Sequence, residues 1–173
     1  TGDPSFYAQS RNYIKTIFET YMPIVSIQSM VNGLTNINYQ AQKLGSLQPD
    51  EFYCIDAHYD SFGTGPGADD NASGVAGILE AVRILGPYSC QKSIRVLAFD
   101  LEELGLVGSN LYATSLRNSR DKVKGVVNFE MIGYYSDKEN SQDFPTGFNI
   151  LFPEAYNEII ANNRKGDFIV NTA

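Results

Sequence analysis

Basic charge is scarce in this sequence: 13 Lys and Arg stand against 20 Asp and Glu, giving a formal net charge of -7 and a pI near 4.6. Phosphate binding needs a clustered Lys/Arg surface, and the few basic residues here are scattered, which argues against nucleic acid as a partner. Long apolar runs are absent as well. No stretch approaches the roughly 18 residues of a transmembrane helix, nothing basic and amphipathic suggests a membrane surface, and no signal-peptide pattern opens the chain. A membrane is therefore not an expected partner. With Thr1 first instead of Met, the chain reads as trimmed or processed, so a leader could have been lost. Two cysteines, Cys54 and Cys90, do not support a disulfide framework, and Cys54 sits in an apolar run as a small hydrophobe. Low-complexity tracts and internal repeats are missing. With 43% hydrophobic residues in 173, disorder is not expected, and a chain of this size buries roughly two-thirds of its extended surface in a single domain.

What is present alternates between helix and strand patterns. Asp3-Pro4 opens a helix, with a capping carboxylate before a proline, and Phe6, Tyr13, Ile14, Ile17, Phe18 and Tyr21 follow at helical spacing until Pro23. Strands are predicted over Ile24 to Val31 and Leu34 to Gln42, joined by the hairpin signal Asn32-Gly33. Glu51 to Ala57 is a short apolar run ending at His58, and a Gly/Pro/Asp-rich loop follows. Val75, Ile78, Leu79, Val82 and Leu85 mark an amphipathic helix from Ala72 to Leu85, stopped by Gly86-Pro87. Ile94 to Phe99 reads as a buried strand, about Leu106 to Leu116 as a helix, and Val123 to Ile132 as a further strand. Pro153 to Arg164 reads as a helix with Gly166 at its C-terminal cap, and Phe168 to Val170 as the start of a last strand. The order implies an α/β fold: a mixed sheet, parallel in its centre, sandwiched by helices and opened by an antiparallel hairpin. Sites in such sheets form at the C-terminal ends of strands. His58, Glu102, Glu103 and Glu130 all lie at or just beyond such ends.

Four segments carry chemistry. His58, the only histidine, precedes Asp60 by two positions, and a metal-binding imidazole commonly has its second nitrogen held by a carboxylate or carbonyl. Alone, the triplet reads as a surface histidine at a strand end, and the segments that follow are what turn it toward a ligand. Gly67 to Gly74 (GADDNASG) places Asp70 near a helix N-terminus, where the dipole keeps a carboxylate ionised for a cation; Asp69 or Asp70 could also serve only as a helix cap. Asn71-Ala72-Ser73 matches a glycosylation sequon in a tight turn into the helix. Glu102 and Glu103, adjacent after a strand, are electrostatically costly unless a cation or proton compensates them, which suits one ligand and one base; an acidic, solvated helix start is the alternative. Glu130 ends an apolar strand and needs a partner, either a metal or a Lys/Arg. Asp69-Asp70-Asn71 lacks the spaced oxygens and closing Glu of a helix-loop-helix calcium site.

Together and in this order, these segments resemble the co-catalytic zinc aminopeptidase family, which includes bacterial secreted aminopeptidases, glutamate carboxypeptidase and the glutaminyl cyclases. The resemblance is strongest from His58 to Gly133. It implies that His58, supported by Asp60, binds one zinc, that Asp70 bridges two zincs and is followed by a cis peptide, that Glu103 ligates the second metal and Glu130 the first, and that Glu102 is the general base. It also implies peptide substrates, hydrolysis at a chain terminus, and secretion or a periplasmic location. Two features depart from the pattern. Glu130 stands where many relatives have Asp, and the distant histidine that completes the second metal is missing before Ala173. The chain is therefore expected to be a C-terminally truncated form with at most one well-formed zinc site. A glutaminyl cyclase would use Asp70, Glu103 and the missing histidine, so the complete His58 set disfavours it. A non-catalytic member of the family would have lost ligands that this chain keeps.

Overall fold

The computed structural model of the chain describes residues 4–31, 33–63 and 65–170. Helix α1 (Pro4–Tyr21) follows the predicted span. Its stripe buries Ile14 and Phe18, while Phe6 and Tyr13 stay exposed. Asp3, the expected cap, and Asn32 of the hairpin turn lie outside the described residues. Strands β1 (Ile24–Val31) and β2 (Leu34–Lys43) pair antiparallel from Ile24↔Ala41 to Val31↔Leu34. That register requires a two-residue turn, and Gly33 meets it with a φ of 80°.

Strands β3 (Gln48–His58), β4 (Lys92–Phe99) and β5 (Lys122–Asn128) complete a five-stranded sheet in the order β1-β2-β4-β3-β5. β2 meets β4 antiparallel, whereas β3 runs parallel to both β4 and β5, so the mixed sheet has the expected parallel centre. Helix α2 (Ala72–Leu85) links β3 to β4, and α3 (Val107–Ser119) links β4 to β5. Alternation along β4 sends Val96 and Ala98 into one core, with Ile14 and Phe18 of α1 and Ile78 and Val82 of α2. Leu97 and Phe99 enter the other, with Phe52, Cys54 and Tyr112 of α3. Each parallel strand is thereby fixed, and the C-terminal ends of β4, β3 and β5 lie side by side.

The ladder of β5 ends earlier than its apolar run suggests. Phe129 adds one bond to the Asp56 carbonyl at 2.8 Å. Asn71 then intervenes: its side chain bonds the Phe129 carbonyl at 2.9 Å and the Met131 N–H at 3.2 Å. Backbone groups that would have extended the strand are thus captured, and Glu130 lies beyond the strand.

The chain divides into two compact units, Thr1–Ile132 and Gly133–Ala173. The second contains α4 (Phe148–Leu151) and α5 (Pro153–Ala161). Phe144 packs on Phe148 and Tyr156, and Phe148 on Phe152, forming an aromatic cluster. The expected extension of α5 to Arg164 fails because Asn163 and Arg164 adopt left-handed conformations, φ 54° and 53°. Gly166 does not cap the helix; it makes an isolated antiparallel bridge with Ser136. Residues Phe168 to Val170 are not a strand, since they join no ladder among the described residues.

Candidate metal centre

His58 is the last residue of β3 and is 3% exposed. Its Nδ1 lies 3.0 Å from the backbone carbonyl of Asp60 and 3.4 Å from the carboxylate of the same residue. When Nδ1 donates to that carbonyl, the neutral ring presents the Nε2 lone pair outward. The Asp60 carboxylate has further work: its two oxygens accept the backbone N–H groups of Glu102 at 3.0 Å and Glu103 at 3.1 Å. Asp60 therefore ties the end of β3 to the turn after β4. These bonds and the one to His58 outweigh burial and hold its carboxyl below the ordinary range.

That turn is shaped from below by buried polar groups. Asn38 accepts the Asp100 N–H at 3.0 Å and donates to the Gly108 carbonyl at 2.9 Å. Asn36 donates to the Asp100 carbonyl at 3.3 Å. Gly108 must be glycine here, because a Cβ would sit 2.2 Å from the Asp100 carbonyl oxygen. Leu101 and Leu106 take left-handed φ of 56° and 61° on either side of Glu102 and Glu103. Such backbone is sparsely populated by side-chain-bearing residues and persists where surrounding bonds over-determine it.

At the start of α2 the cap is Asn71, not Asp69 or Asp70: its side chain accepts the Gly74 N–H at 3.1 Å. The Asp70–Asn71 peptide is cis, as the resemblance implies. With Asn71 as the cap, Asp70 is left free of capping and lies toward His58, with Oδ1 3.0 Å from Nε2. Glu130 Oε2 lies 3.5 Å from the same nitrogen and Glu102 Oε2 3.9 Å. Asn71 is only 2% exposed, so the sequon is buried in the fold.

All six sequence-derived site residues, His58, Asp60, Asp70, Glu102, Glu103 and Glu130, are thus brought together. Two sets offer ligand atoms mutually within 4.8 Å: His58, Asp70 and Glu130, and His58, Glu102 and Glu103. Two donors on a tetrahedral zinc are separated by about 3.3 Å, given bonds of about 2.0–2.1 Å. The separations of 3.0 and 3.5 Å around Nε2 match that edge. Glu103 Oε1 is buried without a hydrogen-bond partner, and so is Asp70 Oδ1 when the neutral His58 ring turns its Nε2 lone pair toward it, a costly state for carboxylate oxygens that a cation relieves. Among the described residues no Lys or Arg pairs with these acids. Burial raises Glu103, and the Asp70 charge adds to it. Burial likewise raises Glu130 against the pull of His58. Burial lowers the affinity of His58 for a proton, but the bond to Asp60 and the charges of Glu130, Asp60 and Glu102 prevail and raise it to about 9. The pocket demands positive charge, and its mixed nitrogen and oxygen donors suit zinc.

Sequence reasoning did not assign Asn36, Asn38, Asn71 or Asp100 to this assembly. Their signal was polarity at positions adjoining the motifs, which does not by itself separate a buried bond from a solvated side chain.

Residues 38–163 match peptidase family M28. An aminopeptidase of Bacillus subtilis, YwaD, is 44% identical over 87 residues, covering 49% of this chain and 19% of its own. The solved structure of BSAP, a zinc aminopeptidase from Bacillus subtilis, aligns with a TM-score of 0.54 and 33% identity, over 61% of this chain and 26% of that one. A glutaminyl cyclase from an Acidobacteriales bacterium shares the fold over 98% of this chain and 66% of its own, with a TM-score of 0.65 and 19% identity. The fold thus has a counterpart in a zinc aminopeptidase, and the chain belongs to peptidase family M28. It spans half or less of the length of the curated relatives it matches, 28% of a protein of Pyrenophora tritici-repentis named "Probable zinc metalloprotease" and 50% of YfbL of Escherichia coli.

Proposed function

We propose that the protein to which this chain belongs is a zinc aminopeptidase that hydrolyses the terminal peptide bond of peptide substrates. The observation that carries this reading is the cluster of one histidine and four carboxylates around the C-terminal strand ends and the start of α2, where Glu103 Oε1 is buried without a hydrogen-bond partner and, among the described residues, no Lys or Arg pairs with Asp70, Glu102, Glu103 or Glu130. His58 Nε2, Asp70 Oδ1 and Glu130 Oε2 would hold one zinc, and Asp70 with Glu103 would supply part of a second site. Bound zinc lowers the pKa of a coordinated water from about 15.7 toward about 7 and polarises the scissile carbonyl.

The remaining chemistry belongs to the chain. Glu102, whose Oε2 is 3.9 Å from His58 Nε2, is near enough to the centre to take the proton of the attacking water. It then returns that proton to the departing amine, so the carboxylate is regenerated in each turnover. Asp60 serves both partners, because the same carboxylate that adjoins the His58 ring fixes the backbone of Glu102. The intact His58, Asp70 and Glu130 set favours hydrolysis over glutaminyl cyclisation.

The test separates metal binding from proton transfer. Zinc retained after loading and dialysis is measured by elemental analysis for this chain and its Glu102→Gln variant, with turnover of an aminoacyl anilide measured in the full-length protein. Both chains retain zinc, and the substitution lowers turnover by about 10²–10⁴-fold. Unchanged turnover would remove Glu102 from the reaction, and absence of zinc from the unmodified chain would remove the metal centre.

A further inference from the structure

We propose that Asn71 is a positioning residue that sets the Glu130 carboxylate for the cation, an inference that rests on the metal-centre reading above. Its amide is fully used. Nδ2 donates to Glu130 Oε2 at 3.1 Å and to the Phe129 carbonyl at 2.9 Å, while Oδ1 accepts from Gly74 at 3.1 Å and Met131 at 3.2 Å. The bonded oxygen of Glu130 is the one 3.5 Å from His58 Nε2, the atom placed to meet the metal.

Glu130 needs such a partner. It lies past the end of β5, on no regular element, and its side chain is 46% exposed, so the backbone alone leaves its rotamer open. Asn71 is 2% exposed and anchored at the start of α2. The helix and the Glu130 segment approach so closely at this point that a Cβ on Gly74 would lie 2.5 Å from the Phe129 carbonyl oxygen. A rigid element therefore holds a mobile type of side chain through one amide.

The residue type is informative. A helix cap requires only an acceptor, which Ser, Thr or Asp supplies equally well. Asparagine adds a neutral donor, and a neutral donor orients a carboxylate without cancelling the charge that the metal needs. A lysine or arginine at this position would form a stronger bond and quench the site.

The experiment is a double-mutant cycle on this chain using Asn71→Ser, Glu130→Ala and the combined variant. Zinc affinity is read by competition with a chromophoric chelator, and ligand geometry by the visible absorption of the Co²⁺-substituted forms. Asn71→Ser weakens zinc binding by about 10–100-fold and alters the cobalt bands. In the Glu130→Ala background the same substitution changes affinity by less than about twofold. Equal losses in both backgrounds, or no loss in either, would overturn the proposal while leaving the metal centre intact. Should far-UV circular dichroism show that the serine variant does not fold, Asn71→Asp replaces it, because it preserves volume and both acceptor bonds. Loss of the metal-free fold in that variant too would assign Asn71 to folding alone. An unmodified chain that binds no zinc defeats the metal-centre reading and this proposal together.

Discussion

Both ends of the three parallel strands carry acid but treat it in opposite ways. At the N-terminal ends of β3, β4 and β5, Asp50 meets Lys122 at 2.5 Å, and Glu51 meets Lys92 at 2.5 Å and Lys124 at 3.7 Å. The lysine bonds hold both carboxyls below their ordinary range. At the C-terminal ends, Asp70, Glu102, Glu103 and Glu130 surround a single histidine, and burial pushes Glu103 and Glu130 the other way. Where the chain supplies its own cations, the acids close the charge balance of a surface. Where it does not, the fold holds carboxylates together at a cost that an added cation repays.

Four experiments test that contrast. The largest effect is expected for His58→Ala, which removes the only nitrogen donor: near-stoichiometric zinc after loading and dialysis falls to background by elemental analysis. Retention of zinc by this variant would show that the carboxylates bind metal without the histidine. Next is Arg11→Met. Asp100 beneath the acidic turn is fully buried and bonded to the Arg11 guanidinium at 2.7 Å. Removing the cation leaves a buried charge, and urea unfolding should report a loss of about 3 kcal/mol, the lower end expected for a broken buried pair, because bonds from the Tyr7 hydroxyl and the backbone of Ile37 and Leu101 remain. A loss no larger than that of a surface substitution would mean that those remaining bonds suffice.

A smaller effect of opposite sign is expected at Glu103. Glu103→Gln relieves like-charge crowding around a buried, unpartnered oxygen, so the metal-free chain should melt at a higher temperature while binding zinc more weakly. A lower melting temperature would show that the carboxylate is structural. The smallest change is expected from Lys122→Ala at the opposite end, where the exposed pair with Asp50 is screened by water and the melting temperature should stay within error. A pronounced drop there would erase the distinction between the two ends.

The acidic half of this contrast was legible in the sequence, and the lysine-paired half was not. His58, Glu102 and Glu103 adjoin the ends of apolar runs, and strand order puts those ends together, so their convergence followed from topology. Asp70 was legible as a carboxylate near a helix start, but its freedom from capping was not, because Asp69, Asp70 and Asn71 are equally good caps by residue type. Asn36, Asn38 and Gln40 occupy the polar positions of β2, yet all three are buried. Polar alternation along a strand does not distinguish water from backbone folded over the sheet, and here Asn38 faces Gly108 in the first turn of α3. The end of β5 was misplaced for a related reason: an apolar run says where a strand is possible, while the partner that interrupts it came from a residue almost sixty positions earlier.

The burial of Asn71 also bears on how the chain is made. Asn71-Ala72-Ser73 offers the acceptor amide that glycan-transferring enzymes read on an extended chain. In the folded protein both amide hydrogens are committed, to Glu130 and to Phe129. A sugar attached there would consume one of those hydrogens and bring a bulky polar group into the space between α2 and the segment after β5. Folding and glycosylation are therefore mutually exclusive fates for this side chain, and in a compartment that glycosylates nascent chains the yield of native protein would depend on which happens first.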